Sequence, residues 1–119
     1  MKKIFHLGNC STCQRIIGEL NPESKGFEMR EIKSAPMTTE EVELMYKLAG
    51  SYEALFSKRA MKYRSMGLNE MKLSEDEFKK YILEEYTFLK RPVLLADNHI
   101  FIGSARKTVE AAKAYLSGF

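Results

Sequence analysis

Two cysteines lie three residues apart where a predicted strand is followed by a predicted helix. Residues 3–7 form a short apolar run that is typical of a strand, and Gly8 and Asn9 then interrupt it. Apolar residues recur at helical spacing in the segment that follows, so Cys10 and Cys13 belong to the start of a helix. A Cys-x-x-Cys pair at such a junction indicates a fold that combines a sheet with helices.

Three further strands and a last helix are predicted along the chain. Residues 27–32 alternate between apolar and polar side chains, which is typical of a half-buried strand. Residues 93–95 and 100–102 are apolar runs on either side of a turn signal, so they are expected to form a hairpin, and a helix is expected to start at 103–104. The first two strands should be parallel, because a helix crosses over between them, and the last two antiparallel. The fold class is therefore α/β with a mixed four-stranded sheet.

The segment between the second and third strands, about residues 33–91, is predicted to be helical. Two capping boxes mark helix starts within it, Thr38 with Glu41 and Ser74 with Glu77. In a capping box, a hydroxyl and a glutamate satisfy backbone N–H groups that the helix itself leaves free. The segment is therefore expected to form a helical insert in the sheet.

Length and composition are typical of a single globular domain. The chain has 119 residues, so we expect one domain over residues 1–119. Its net charge is +3, and basic and acidic residues are interleaved, which argues against a nucleic-acid-binding stripe. No stretch approaches the roughly 20 apolar residues of a membrane span, and the first residues do not form a signal peptide. A cytoplasmic protein with no direct contact to nucleic acid or membrane is expected.

The dithiol is the strongest candidate for chemistry in this sequence. A thiol at a helix N-cap faces free backbone N–H groups and the positive end of the helix dipole, which stabilise a thiolate. Cys10 is therefore the predicted nucleophile, and Cys13, one turn inside the helix, is the predicted resolving thiol. The hydroxyls of Ser11 and Thr12 could donate to a thiolate or a bound oxyanion, and Asn9 supports the same turn.

Two other interpretations of the cysteines stay open. Both could be ordinary buried thiols, or they could join His6 and His99 in a zinc site, which needs four ligands. A lone Cys-x-x-Cys directly after a strand in a reducing compartment favours redox chemistry over both alternatives. We therefore expect no bound metal and no bound organic cofactor.

His6 and the Arg91-Pro92 pair are the other informative positions. His6 ends the first predicted strand, four residues before Cys10, where its ring could tune the thiolate or pack against its neighbours. Arg91-Pro92 opens the third predicted strand. The forked guanidinium of Arg91 could hold a thiolate or an oxyanion if its loop faces the dithiol, or it could be solvated at the strand edge.

Together, His6-x-x-x-Cys10 at a strand–helix turn, the long helical insert and the strand opened by Arg91-Pro92 resemble the glutaredoxin-linked arsenate reductase family. That family also contains the Spx-type transcription regulators. The resemblance spans essentially the whole chain. It implies a thioredoxin-like, specifically glutaredoxin-like, fold with an inserted helical subdomain, and a cis peptide bond at Pro92 beside the cysteine loop.

Arsenate-reducing members of that family are built around one nucleophilic cysteine and three arginines that hold the oxyanion. Cys10 and Arg91 match two of these four positions. The other two arginines would fall where this chain has a serine and a glycine with arginines nearby: Ser57 with Arg59 two positions on, and Gly103 with Arg106 three positions on. The resemblance thus implies a thiol-dependent oxidoreductase for which arsenate itself is doubtful as the substrate.

Two functional hypotheses follow from this resemblance. In the first, Cys10 attacks a small oxyanion or a disulfide, and Cys13 or an external thiol releases the product, with glutathione or glutaredoxin as the reductant. In the second, the chain is an Spx-like redox-sensing regulator that binds the α-subunit of RNA polymerase. The regulators typically carry a longer C-terminal extension, and His6 fits the reductases better. The subfamily stays open, with the oxidoreductase as the first hypothesis and the regulator as the alternative.

Overall fold

The computed structural model describes residues 2–118, which fall into two compact units. Among these residues, the sheet unit comprises 2–35 together with 91–118, and the helical unit comprises Pro36–Lys90. A single domain over residues 1–119 stays a prediction. The helices and strands, in chain order, are β1 (Lys2–His6), α1 (Ser11–Leu20), β2 (Glu28–Glu31), α2 (Thr39–Ala49), α3 (Met61–Ser65), α4 (Glu75–Glu84), β3 (Val93–Ala96), β4 (His99–Ile102) and α5 (Arg106–Leu116).

The sheet unit contains one mixed four-stranded sheet in the order β2-β1-β3-β4. Strands β1 and β2 are parallel, with His6 opposite Glu31, and β3 is antiparallel to both β1 and β4. The predicted sheet and its strand directions are therefore confirmed. Because β2 runs with β1 and β3 runs against it, the end of β1, the end of β2 and the start of β3 share one edge of the sheet.

One face of the sheet packs against α1 and α5 to form the core of this unit. Alternate residues of β1 and β3 point to this face, since successive side chains of a strand point to opposite faces. The buried core residues are Ile4, Ile16, Leu20, Phe27, Leu94, Ala96, Val109, Ala112 and Leu116. This packing fixes the position of α1 against the sheet, and α1 carries the buried Cys13 in its first turn.

The last helix begins later than predicted. Its first residue is Arg106, whereas the sequence indicated a start at Gly103-Ser104. Gly103 has a left-handed backbone (φ 89°), and its N–H donates to the Pro92 carbonyl oxygen at 2.9 Å. A residue held in that conformation cannot belong to a right-handed helix, so the chain must turn before α5 starts.

The helical unit contains α2, α3 and α4, joined by short 3₁₀ turns. Both predicted capping boxes are confirmed, at the starts of α2 and α4. A cluster of phenylalanine rings forms the centre of this unit: the Phe56 ring lies 4.9 Å from the rings of both Phe78 and Phe88, measured between centroids. The predicted helical character of this segment is therefore confirmed.

Truncation of Ile16 should destabilise the protein far more than truncation of its neighbour Ile17. The Ile16 side chain is 1% exposed in the core, whereas Ile17 is partly buried at the core's border. Ile16→Ala should lower the free energy of unfolding by about 2–5 kcal/mol, because it removes buried methyl groups and leaves a cavity. Urea unfolding followed by circular dichroism measures both variants, and equal losses would contradict the proposed packing of α1.

Candidate functional site

The turn between β1 and α1 places Cys10 at the N-terminus of the helix. The Cys10 backbone N–H donates to the Leu7 carbonyl oxygen at 3.1 Å, which closes a tight turn over Gly8 and Asn9. Cys10 keeps an extended backbone (φ −96°, ψ 112°), and its carbonyl oxygen accepts the first helical hydrogen bond, from the Gln14 N–H at 3.0 Å. Cys10 is therefore the N-cap residue of α1, the position in which a thiolate is best stabilised.

The pKa of Cys10 lies below the ordinary value of a cysteine thiol. Burial raises the pKa of Cys10, but the Cys13 backbone N–H and thiol, the Arg91 guanidinium and the Thr12 backbone N–H together lower it by more. Within residues 2–118 the neutral thiol forms no side-chain capping hydrogen bond, since a neutral sulfur is a weak acceptor. The same N–H groups attract the anion more strongly, so they favour ionisation of Cys10.

Cys13 has the opposite character. Its side chain is 0% exposed. Burial, together with the neighbouring Cys10, raises the pKa of Cys13 to about 11, although the Leu7 backbone N–H and the Arg91 guanidinium oppose this rise. Cys13 therefore keeps its proton at neutral pH and can donate it in a hydrogen bond to the Cys10 thiolate. The structure thus brings together one half-buried thiol with a lowered pKa and one buried thiol with a raised pKa.

Arg91 and Pro92 lie beside the two cysteines. Val93 pairs with Phe5 across the antiparallel strands, so the residues just before β3 lie next to the turn that follows β1. The peptide bond between Arg91 and Pro92 is cis, as the resemblance implied. The positive charge of Arg91 lowers the pKa of both Cys10 and Cys13, so the guanidinium is close enough to act on the dithiol.

The His6 side chain lies at the same edge of the sheet, and its imidazole ring is neutral. Burial lowers the pKa of His6 below its ordinary value, and the nearby Glu31 carboxylate only partly offsets this effect. The His6 Nδ1 atom is buried and has no hydrogen-bond partner among the described residues. The imidazole is therefore mostly uncharged at pH 7. A direct effect of His6 on the Cys10 thiolate stays a prediction.

The predicted supporting residues Asn9, Ser11 and Thr12 surround the turn. Asn9 and Ser11 are exposed, and Thr12 is half-buried. Thr12 acts on the Cys10 sulfur through its backbone N–H. Roles for the two hydroxyls and for the Asn9 side chain stay predictions.

Glu31 belongs to the site as well, and the sequence did not point to it. Its carboxylate accepts a hydrogen bond from the Gly8 backbone N–H at 3.0 Å, and further ones from Ser34 and Lys33. These donors, with Gly8 the strongest influence, lower the pKa of Glu31 to about 2. The available signal was positional: Glu31 ends a strand parallel to β1, and parallel strands end at the same edge of a sheet.

Arg106 does not serve the dithiol. Its guanidinium donates to the Glu19 carboxylate at 3.0 Å and to the Glu110 carboxylate at 2.9 Å. Glu19 lies near the far end of α1, roughly 13 Å along the helix axis from the N-cap Cys10, since a helix rises about 1.5 Å per residue. The left-handed backbone of Gly103 would also strain an arginine at that position.

Comparison with known proteins places this site in a family. The model of the ArsC family matches residues 5–112, a stretch that includes both cysteines and the cis peptide bond. The chain belongs to the ArsC family. Membership agrees with the resemblance that the sequence suggested.

The proteins that this ArsC-family chain resembles include a transcriptional regulator and an arsenate reductase. The chain is 27% identical over 105 residues to the global transcriptional regulator Spx 2 of Bacillus anthracis, which covers 87% of this chain and 79% of that protein. It is similar in structure to an ArsC family related protein from Bacteroides fragilis (TM-score 0.78, 21% identity, 94% of this chain and 98% of that chain). It is also similar to an arsenate reductase from Vibrio cholerae (TM-score 0.73, 21% identity, 93% of this chain and 96% of that chain). These structural matches confirm the thioredoxin-like α/β fold.

The described residues of this ArsC-family chain carry neither a membrane-crossing helix nor a metal-binding cluster. Across residues 2–118, the helices are too short or too polar to cross a membrane. In the same residues, no group of three or more histidine, cysteine, aspartate or glutamate side chains is arranged to hold a metal ion.

Replacement of Arg91 should raise the pKa of Cys10. The variant Arg91→Gln removes the positive charge that favours the thiolate, so ionisation should shift towards the value of a free cysteine, about 8.5. The pH dependence of Cys10 alkylation by iodoacetamide, measured with Cys13→Ser so that a single thiol reacts, gives this pKa directly.

The matched control for this experiment is Arg106→Gln, because Arg106 is held by Glu19 and Glu110 at a distance from the thiol. It should leave the alkylation midpoint of Cys10 unchanged. An unaltered midpoint in Arg91→Gln, or equal shifts in the two variants, would contradict a local action of Arg91 on the dithiol.

Proposed function

We propose that this ArsC-family chain is a thiol–disulfide oxidoreductase with Cys10 as nucleophile and Cys13 as resolving thiol. The observation that best supports this is the asymmetry of the pair: Cys10 is half-buried with a lowered pKa, and Cys13 is fully buried with a raised pKa. Only the thiolate is an effective nucleophile, so Cys10 is the entry point for a substrate. The substrate class is a small-molecule or protein disulfide.

The first step is attack on the substrate disulfide. The Cys10 thiolate forms a bond to one substrate sulfur, the substrate S–S bond breaks, and the other half leaves as a thiolate that takes a proton from water. Negative charge spreads over three sulfurs during this exchange. The Arg91 guanidinium and the backbone N–H groups at the start of α1 stabilise this charge, a role supported by their lowering of the pKa of Cys10.

Formation of this mixed disulfide prepares Cys13 for the second step. While Cys10 is anionic, it raises the pKa of Cys13 by accepting its proton in a hydrogen bond and by charge repulsion. Both effects vanish once the Cys10 sulfur is bonded to substrate. Burial still disfavours the Cys13 anion, but the Leu7 backbone N–H and the Arg91 charge favour it. Loss of the Cys13 proton to water therefore becomes easier at the moment when the resolving thiolate is needed.

The second step completes a two-electron reduction of the substrate. The Cys13 thiolate attacks the Cys10 sulfur, the bond from Cys10 to substrate breaks, and the second substrate half leaves as a thiolate. The substrate disulfide has become two thiols, and the two cysteines have become a disulfide. Two molecules of glutathione, or the dithiol of a glutaredoxin, then reduce the pair by the same exchange and restore the starting state.

A disulfide suits this site better than arsenate does. The resemblance implies three arginines around an oxyanion. Here Arg91 lies at the dithiol, whereas Arg106 is held by two carboxylates. Gly103, the other position at which the sheet unit could supply an arginine, has a backbone that an arginine would strain. Thiol–disulfide exchange needs one stabilised thiolate and a resolving thiol, and the lowered pKa of Cys10 and the buried neighbouring Cys13 support these two roles.

Single serine variants test the two cysteine roles. Cys10→Ser should lower glutathione-dependent reduction of hydroxyethyl disulfide by on the order of 100-fold or more, because no nucleophile is left. Cys13→Ser should instead accumulate a mixed disulfide on Cys10, visible as added mass in intact-protein mass spectrometry. The unmodified chain is the control and should form an internal disulfide. Full activity of Cys10→Ser together with inactivity of Cys13→Ser would contradict the assignment.

A second candidate function is that of an Spx-like redox switch. It is favoured by the similarity to the global transcriptional regulator Spx 2, and it uses the same dithiol. In this hypothesis, oxidation of Cys10 and Cys13 alters a docking surface for a protein partner. The partner that the resemblance implies is the C-terminal domain of the RNA polymerase α-subunit.

Binding measurements distinguish the switch from the enzyme. If the chain is a switch, its affinity for that purified polymerase domain should change by about tenfold between reduced and oxidised protein, the usual size of such a coupling. Fluorescence anisotropy measures both states, and Cys10→Ser, which cannot form the internal disulfide, should bind identically under both conditions. Absence of binding in both redox states would contradict the switch and leave the oxidoreductase.

A further inference from the structure

One carboxylate joins the turn before Cys10 to a second loop of the sheet unit. The Glu31 Oε2 atom accepts a hydrogen bond from the Gly8 N–H at 3.0 Å. The other oxygen, Oε1, accepts from the Lys33 N–H at 2.9 Å and from both the N–H and the hydroxyl of Ser34 at 2.8 Å. Glu31 therefore bridges two chain segments that are 23 residues apart in sequence.

The second loop, which follows β2, is held by hydrogen bonds of its own. The Ile32 N–H extends the pairing with β1 by donating to the His6 carbonyl oxygen at 3.0 Å. The Arg30 guanidinium donates to the carbonyl oxygens of Glu31 at 2.9 Å and of Ala35 at 2.5 Å. Because the backbone on both sides of Glu31 is fixed by these bonds, the carboxylate restrains the cysteine turn rather than the reverse.

The restraint falls on a residue inside the cysteine turn. The hydrogen bond from the Cys10 N–H to the Leu7 carbonyl oxygen closes this turn, and Gly8 lies within it. Gly8 is exposed, and a Cβ atom built on it would meet Glu31 atoms at 3.7 Å and nothing nearer. Glu31 is thus the group that contacts this side of the turn.

We propose that Glu31 is a positioning residue: it fixes the Gly8-Asn9 turn so that the Cys10 sulfur stays over the backbone N–H groups at the start of α1. It acts through the backbone of the turn. The role rests on the proposed function in one respect, namely that Cys10 is the reactive thiol. A change in the reactivity of Cys10 is therefore the quantity to measure.

The direction of the effect separates positioning from simple charge. A carboxylate near a thiolate disfavours the anion, so loss of the Glu31 charge alone would lower the pKa of Cys10 and speed its alkylation. Loss of the tether would instead let the sulfur drift from the N–H groups of Thr12 and Cys13, which would raise the pKa of Cys10 and slow its alkylation. The two explanations predict opposite changes.

The variant Glu31→Gln tests the tether. An amide has one acceptor oxygen, and the loop after β2 offers it three donors, so the Gly8 N–H loses its partner. Alkylation of Cys10 by iodoacetamide at pH 7 should slow by about threefold or more, since half a pKa unit changes the thiolate fraction about threefold. The control is Glu28→Gln, on the same strand but paired with Lys3, which should react like the unmodified chain.

The variant Glu31→Asp separates the effect of the length of the side chain from the effect of its negative charge. Aspartate keeps the negative charge but is one methylene shorter, so it cannot serve Gly8 and Ser34 together, and alkylation of Cys10 should again slow. The pKa of His6 should stay near its unmodified value in Glu31→Asp and fall further in Glu31→Gln, because the Glu31 charge raises it. Histidine C–H resonances in NMR spectra give this pKa, with His99, the second of the two histidines, as the internal reference.

The outcomes distinguish this proposal from the one on which it rests. Rapid alkylation of the unmodified chain with equally rapid or faster alkylation of Glu31→Gln would overturn the positioning role alone. Alkylation of the unmodified chain at the rate of a free cysteine would overturn the proposed function and the positioning role together. If urea unfolding shows that Glu31→Gln is not folded, Glu31→Asp decides between the same two results.

Discussion

The attraction between the Cys10 sulfur and the first N–H groups of α1 is the contact on which the site depends. Helix starts leave backbone N–H groups that need partners, and serine, threonine or aspartate usually supplies them. Here a cysteine holds that position, so capping and ionisation are linked. Because the folded pKa of Cys10 is lowered, stabilisation of the fold by its thiolate is complete above the ordinary cysteine pKa. It is lost as the pH falls through the lowered value.

The strand order of the sheet brings the other groups of the site close to Cys10. Since β1 and β2 are parallel and β3 is antiparallel to them, three segments meet at one edge of the sheet. They are the cysteine turn, the loop after β2 that holds the Glu31 carboxylate, and the cis peptide segment at Arg91. Each of these three segments has a different role in the site. The turn presents the thiolate, the Glu31 carboxylate holds the turn, and the Arg91 guanidinium supplies positive charge. A small mixed sheet thus gathers the site from segments that are far apart in sequence.

The sequence predicts a contact well when its two partners are close together in the chain, and poorly when they are far apart. The N-cap at Cys10 and the capping boxes at Thr38 and Ser74 are local, because donor and acceptor lie within four residues, and all three are present in the structure. Glu31 could not be found in this way, since its partner Gly8 is 23 residues distant and a glutamate at a strand end resembles a solvated one. Arg106 was ambiguous for the same reason: its binding to Glu19 depends on the packing of α5 against α1.

The peptide groups of Leu7 support both functions that are proposed for the dithiol. The Leu7 carbonyl oxygen accepts the Cys10 N–H, and the Leu7 N–H lowers the pKa of Cys13, which makes Cys13 a better leaving group when the internal disulfide is reduced. Backbone groups therefore support thiol–disulfide exchange in both directions. Such groups do not depend on the identity of the side chain. The two candidate functions differ in the substrate or partner that reaches Cys10, and both depend on this exchange.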